Sequence, residues 1–476
     1  MHGFNHDINI SAMLRIIFLS LCLSVPAAGM VEEARGVWVC PWELNSPGDV
    51  SVVVETAKEA HLNAIFYEVR YRGDALYTPN RYVDTYPNPE PRSPHLAGTD
   101  PGFDPLAELI AEAHAAGIQV HAWVTTFVAL NEKTPTPEGH PAVEHPEWLA
   151  RTKSGGKLDV YNMAWLDPGL PEVQDYLYNV FMDIVVNYDI DGLHLDYVRY
   201  SDGGALYNDE ALERFEKETG LSASDSSALD DWRREQITRF VERLNNGIKR
   251  EKPDVQLSAA VFAVRVSKAR NECRQDWTTW LEQGIVDFVV PMAYSRDAET
   301  VNKWVADGVS VKNTRYLYAG LWSLVDGGGD PTSETYSAIT DRINASRKAG
   351  ADGIILYSVT GLEQRDGYLA RRLGEGPFET TARYPAMLWK RVPRPGRYPM
   401  EVVALNLSGK KKFGVEMRRG TPKKYSFVFA KEISGWTDKP VYMVPSKGDR
   451  YRVIAGKFDK QAEAETLKAD LGNRGY

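Results

Sequence analysis

The chain has 476 residues, enough for one large domain with one or two small ones. Hydrophobic residues make up 43% and charged residues 25%, which excludes a disordered or fibrous chain. The formal net charge of -9 excludes a general nucleic-acid binder, which needs a basic face to meet phosphates.

Residues 13–29 read MLRIIFLSLCLSVPAAG. Arg15 precedes a short apolar run, and Pro26, Ala27, Ala28 and Gly29 follow it. This layout predicts a signal peptide over residues 1–29, with Met13 as an alternative start, and a periplasmic or secreted protein. The run is too short to span a bilayer, and no other stretch reads as a transmembrane anchor. Cys22 follows Leu21, where lipidation needs a small residue, so a lipid anchor is not expected. Removing the signal leaves Cys40 and Cys273, far apart in sequence and read as two buried thiols.

From residue 34 onward, short apolar runs alternate with amphipathic helical stretches. Strands are expected near 34–40, 63–70, 118–124, 191–197, 255–262, 286–294, 316–321 and 352–359. Between them, Leu106, Leu109, Ile110 and Ala113 mark one helical face, with Asp104 as cap, Pro105 in the first turn and Gly117 beyond the end. Ile237, Phe240, Val241, Leu244 and Ile248 mark another. Eight such repeats predict the α/β class and a closed (β/α)8 TIM barrel over residues 30–365. The long segments 71–103 and 125–170 follow strands two and three. They therefore lie on the face where barrel enzymes build their sites. Residues 366–384 read as a linker and 385–448 as a small β-rich domain. Residues 449–476 read as a strand–helix tail. No long-period repeat is evident.

The strongest chemical signal is DGLHLDYVRY (191–200). His194 and Asp196 are two apart and share a strand face; Leu193 and Leu195 share the other and suit burial under helices. Asp196 should then face the barrel interior at its carboxyl-end rim, with Arg199 as a partner for its charge. In strand two, Phe66, Glu68 and Arg70 share a face, so Glu68 and Arg70 are expected to point inward as well. Glycoside hydrolysis requires two carboxyl groups, and Asp196 with Glu68 is the expected pair. Glu43, Asp167 and Asp297 compete for the second role.

The chain holds 12 Trp and 24 Tyr, whose flat faces suit sugar rings. Trp42, His121, Trp123, Tyr197, Tyr294 and Tyr357 fall at or near strand ends. Expected substrate contacts are Arg70, His121, Trp123, His194, Tyr197, Arg199, Tyr294 and Trp42. No phosphate loop, dinucleotide fingerprint or GxSxG elbow is present, so no cofactor is expected. No metal is expected either, although His121, His194 and Asp196 could converge as ligands of a metal-dependent hydrolase. A barrel that binds glycan without cleaving it is the other alternative.

Six motifs occur in order: RGVWV (35–39), NAIFYEVR (63–70), FDPLAELIAEAHAAGIQVHAWV (103–124), HPEWL (145–149), LDPGLPEVQDYL (166–177) and DGLHLDYVRY. Over residues 34–360 the chain resembles the family 10 glycosyl hydrolase-like proteins. The resemblance implies a TIM barrel acting on glycosidic bonds, with peptidoglycan glycan strands as one polysaccharide substrate. It also implies a catalytic carboxylate at Asp196; it does not extend to Glu68, whose role rests on strand alternation. The tail, YRVIAGKFDKQAEAETLKADLGNRGY (451–476), resembles half of a SPOR repeat, which implies binding to peptidoglycan strands stripped of peptides.

Overall fold

The computed structural model describes residues 31–131, 136–152, 154–202, 207–323, 329–387, 389–390, 401–407, 410–422, 439–445 and 450–473. The expected signal segment lies outside the described residues. Eight strands form a closed parallel barrel: β1 (Ala34–Val39), β2 (Ala64–Arg70), β3 (Gln119–Thr125), β4 (Gly192–Asp196), β5 (Gln256–Phe262), β6 (Phe288–Met292), β7 (Tyr316–Trp322) and β8 (Gly353–Tyr357). Each strand pairs with the next, and β8 returns to β1. The expected TIM barrel is the observed architecture.

A helix follows each strand: α1 (Pro47–Glu59), α2 (Pro105–Ala115), α3 (Pro171–Asn187), α4 (Ser226–Glu251), α5 (Trp277–Gln283), α6 (Ala298–Val309), α7 (Ser333–Lys348) and α8 (Val359–Gly374), the last kinked at Gln364–Gly367. Local chemistry starts them. Ser46, Asp104, Asp225 and Asp297 accept hydrogen bonds from first-turn backbone N–H groups, and Thr332 with Thr335 forms a reciprocal capping box. Outward strand residues such as Val37, Ile65, Val120, Leu193, Leu195 and Leu257 join the helix faces in the main core.

Register is pinned at the amino ends of the strands. Asn63, Asp191, Asp287 and Asp352 each stand one residue before an even-numbered strand. Their side chains accept the backbone N–H of Arg35, Val120, Leu257 and Leu317, the second residue of the preceding odd-numbered strand, at 2.8–2.9 Å. Burial pushes Asp287 up, but the Lys390 and Arg315 charges outweigh it and hold this carboxyl below the usual range.

The interior is filled by aromatic side chains in layers. Phe66 stacks on His121 at 4.4 Å between ring centres, and Phe288 lies 4.5 Å from Tyr318. Glycines make the space: a Cβ on Gly192 would collide with the His121 ring, and one on Gly320 would press on Trp38. Cys40 and Cys273 are buried and free.

The segment expected as a linker is instead part of the barrel body. Leu369, Leu373 and Phe378 are buried in the core. Arg35 donates to the Phe378 and Thr380 carbonyls, and Val31–Glu32 pairs in parallel with Ala382–Arg383. Residues 384–387 and 389–390, the end of the expected linker and the start of the expected β-rich domain, close the barrel's lower end. Tyr384 and Met387 pack on the inner layer, and Trp389 and Lys390 bond Asp287. Gly, Pro and charged residues mask this in the sequence, because the few apolar anchors keep no regular period. Further on, β9 (Glu401–Leu407), β10 (Lys410–Pro422), β11 (Val441–Pro445) and β12 (Arg450–Phe458) form an antiparallel sheet in the order β9-β10-β12-β11, with α9 (Gln461–Asn473) packed on it. The tail strand thus lies inside this sheet rather than apart from it.

Phe378→Ala should destabilise the protein by roughly 3–5 kcal/mol, as for a fully buried aromatic. Urea unfolding measures it; a loss below about 1 kcal/mol would mean that 366–384 is a dispensable linker after all.

Candidate active site

Three adjacent strands carry the polar centre. Asp196 ends β4 and pairs in register with Thr125 at the end of β3. The Thr125 hydroxyl donates to Glu68 Oε1 of β2 at 2.6 Å. Glu68 and Asp196 are only 4% and 8% exposed, above a floor of Phe66, His194 and Trp38 rings. With this little water, ionising both carboxyls is unfavourable.

Burial pushes Glu68 up to about 8; the Thr125 hydrogen bond opposes this, and the Asp196 charge adds to it. Burial also raises Asp196, against the Tyr197 backbone N–H at 2.6 Å, the Arg199 charge and the Trp123 side chain, which favour its anion. Tyr197 holds a left-handed backbone, φ 48°, which a bulky residue adopts only under constraint. That turn aims its N–H at the carboxylate of the residue before it.

An aromatic wall stands beside the carboxyls. Trp38 meets Trp123 and Tyr357 at 6.4 and 6.1 Å; Tyr357 meets Tyr294 at 5.8 Å and Trp322 at 5.4 Å. Trp42 lies on the rim, 50% exposed. The structure therefore brings Glu68, Asp196, Trp123, Tyr197 and Tyr294 together, with Trp42 at the edge.

Four expected contacts lie elsewhere. Arg70 does not point inward. A β-bulge after Glu68 shifts the register, so Arg70 turns into the helix layer. There it pairs with Glu90 at 2.8 Å, donates to the Thr126 carbonyl and lies 5.8 Å from the Phe181 ring. His121 and His194 face the interior but sit below the rim, fully buried. His194 Nδ1 meets Ser258 Oγ at 2.8 Å, His121 stacks on Phe66, and burial depresses both imidazoles. Arg199 ion-pairs with Asp202 rather than Asp196, boxed by the Trp165, Tyr197 and Phe262 rings.

The competing carboxylates have structural partners. Glu43 accepts from the Cys40 and Thr360 backbone, tying the loop after β1 to the start of α8. Asp167 accepts from Gly169 N and the Tyr200 hydroxyl, and Asp297 caps α6. His121, His194 and Asp196 do not converge. Among the described residues, no three His, Cys, Asp or Glu side chains are grouped as metal ligands.

Alternation alone could have found Thr125, on the face of His121 and Trp123, and Trp322, on the face of Tyr318 and Gly320. Arg72 could not be found that way. It lies beyond the bulge, in a left-handed turn at φ 63°, and its charge favours the Glu68 anion.

A raised carboxyl stabilises the fold fully below its unfolded value of 4.5, and that stability is lost as pH rises through about 8. The stability of the wild type relative to Glu68→Gln should therefore fall across this window and level off above it. Thermal unfolding at stepped pH reads this out; a flat difference would mean Glu68 is already ionised.

Residues 33–322 match the family described as Glycosyl hydrolase-like 10. The chain is 27% identical over 320 residues to Glycosyl hydrolase YngK of Bacillus subtilis (strain 168), covering 59% of this chain and 58% of that protein. It is 31% identical over 294 residues to Glycosyl hydrolase DigH of Escherichia coli (strain K12), covering 55% and 62%. The chain thus spans about three fifths of the length of these relatives. Alpha-L-fucosidase isoenzyme 2 from Paenibacillus thiaminolyticus superposes with a TM-score of 0.52 at 15% identity, covering 73% of this chain and 49% of that one, which shows a shared fold. With the motifs, the barrel and the matched residues in agreement, this chain belongs to the glycosyl hydrolase-like 10 family.

Proposed function

We propose that the protein hydrolyses glycosidic bonds in a polysaccharide, with Glu68 as general acid and Asp196 as its ionised partner. The observation that carries this reading is the carboxyl pair on alternate staves, with Glu68 raised to about 8. Near neutral pH Glu68 keeps its proton. A neutral Glu68 lets Asp196 ionise, with the Tyr197 N–H and the Arg199 charge supporting the anion.

A glycan lying across the rim would place its linkage oxygen at Glu68. Proton transfer to that oxygen breaks the bond to the anomeric carbon, and Asp196 stabilises the positive charge that develops there. Water then adds to the anomeric carbon and returns a proton to the carboxyl pair. Trp123 and Tyr294 beside the carboxyls, with exposed Trp42 at the rim, suit sugar faces.

Peptidoglycan glycan strands are the polysaccharide we propose first, because the segment 13–29 has the layout of an export signal. Location in the periplasm or outside the cell is part of the same proposal. Expression of the full chain in a bacterial host should yield processed protein in the extracytoplasmic fraction; uncleaved protein in the cytoplasm would overturn export.

Purified protein incubated with peptidoglycan, with and without stem peptides, should release fragments with new reducing ends. Asp196→Asn and Glu68→Gln should each lose roughly 100- to 10,000-fold in rate, and the wild-type rate should decline above pH of about 8. No release from either form, or full activity in Asp196→Asn, would sink the proposal.

A further inference from the structure

The loop after β2 holds a guanidinium that the reaction scheme does not use. Arg72 is half-buried, and its guanidinium carbon lies 4.2 Å from the centre of the Tyr71 ring. Its charge reaches Glu68, Asp74, Tyr197 and His95. Among the described residues, no carboxylate forms an ion pair with it and no acceptor takes a hydrogen bond from its side chain. The contrast with its neighbours is sharp: Arg70 is tied to Glu90, and Arg199 to Asp202. A partly dehydrated cation whose nearby carboxyls make no direct contact with it gains from a ligand that completes it.

The backbone holds Arg72 in place for this. His140 Nε2 bonds the Arg72 carbonyl at 2.7 Å, and the residue keeps a left-handed turn at φ 63°. Such strain persists where the surroundings demand it, often at ligand sites. The Tyr71 ring against the guanidinium belongs to a group of three aromatic rings. Trp42, 50% exposed, meets Tyr71 at 6.3 Å and His95 at 6.1 Å, and Tyr71 meets His95 at 5.2 Å. His95 Nε2 is buried without a hydrogen-bond partner. A flat apolar face, a planar fork of donors and a ring nitrogen, the last two without hydrogen-bond partners among the described residues, thus share one corner of the rim.

We propose that Arg72, with Trp42, Tyr71 and His95, forms a subsite for a sugar unit bearing a carboxylate. The proposal rests on reading the rim as a glycan site. The guanidinium fork matches the two oxygens of a carboxylate, and the Trp42 ring takes the face of the sugar. The carboxylate can come from a uronic acid or from a lactyl ether on an amino sugar. The overall charge of -9 makes the protein a poor general binder of anions, so selectivity here must be local.

The test is calorimetric binding in full-length Asp196→Asn, which leaves ligands intact. Four oligosaccharides serve as probes: a peptide-free amino-sugar oligomer with free lactyl groups, the same oligomer with those groups converted to methylamides, a uronic-acid oligomer, and a neutral N-acetylglucosamine oligomer. At least one carboxylate-bearing oligomer should bind more tightly than the amidated and neutral ones, and which one names the source. Adding Arg72→Gln should weaken that ligand roughly 10- to 100-fold and leave the neutral oligomer unchanged. Arg72→Lys should keep part of the preference, and Trp42→Ala should weaken all binding probes alike. Equal losses for acidic and neutral oligomers in Arg72→Gln would overturn the proposal. So would no loss, or no binding of either acidic oligomer. Selective binding without wild-type cleavage of any glycan would remove the hydrolase reading and leave the subsite. Cleavage indifferent to Arg72 would remove the subsite alone.

Discussion

The site depends on register. Asn63, Asp191, Asp287 and Asp352 each tie the foot of one strand to a backbone N–H of its neighbour. A side chain that accepts a neighbouring strand's N–H fixes how far the two strands are staggered. In a closed barrel stagger also decides which residues face inward, because the strand period is two. A slip of one residue in β4 would exchange His194 and Asp196 for Leu193 and Leu195. The clamps recur between strand pairs one–two, three–four, five–six and seven–eight, so half of the eight interfaces are pinned from below.

Filling the interior has its own consequence. Phe66, His121, His194, Phe288 and Tyr318 pack the middle, and Tyr384 and Met387 close it underneath. Water can then approach Glu68 and Asp196 only from above. The same packing that stabilises the barrel removes the solvent that would keep both carboxyls ionised. The proposed acid role and stability therefore coincide at Glu68: both need its proton, and ionising it at high pH weakens the fold.

Backbone irregularities then sort the charged side chains. The bulge after Glu68 sends Arg70 outward to Glu90 and leaves Arg72 as the cation nearer the rim. The left-handed turn at Tyr197 returns an N–H to Asp196 and leaves Arg199 among aromatic rings. Both features follow the last regular residue of a strand. There a change in local twist costs little pairing and redirects whole side chains.

The sequence by itself determined the barrel, the strand that carries Asp196 and the inward parity of Glu68. These follow from local periodicity, since apolar residues two apart or three to four apart report the nearest layer. Tertiary structure alone decided depth and exceptions. His121 and His194 share a face with the rim residues, but parity says nothing of height, and the closure by residues 384–390 makes them interior packing. Arg70 obeys the alternation pattern and still points outward, because one extra residue in a bulge reverses parity without leaving a mark in composition. The body of the barrel runs past residue 365, because Phe378 and Trp389 find partners more than 70 residues away in sequence. The corner at Arg72 forms only when distant segments bring Trp42 and His95 to Tyr71 and put Glu68 within reach of the Arg72 charge. Periodicity is a property of neighbours in the chain; depth, desolvation and the surroundings of a charge belong to residues that meet only after folding.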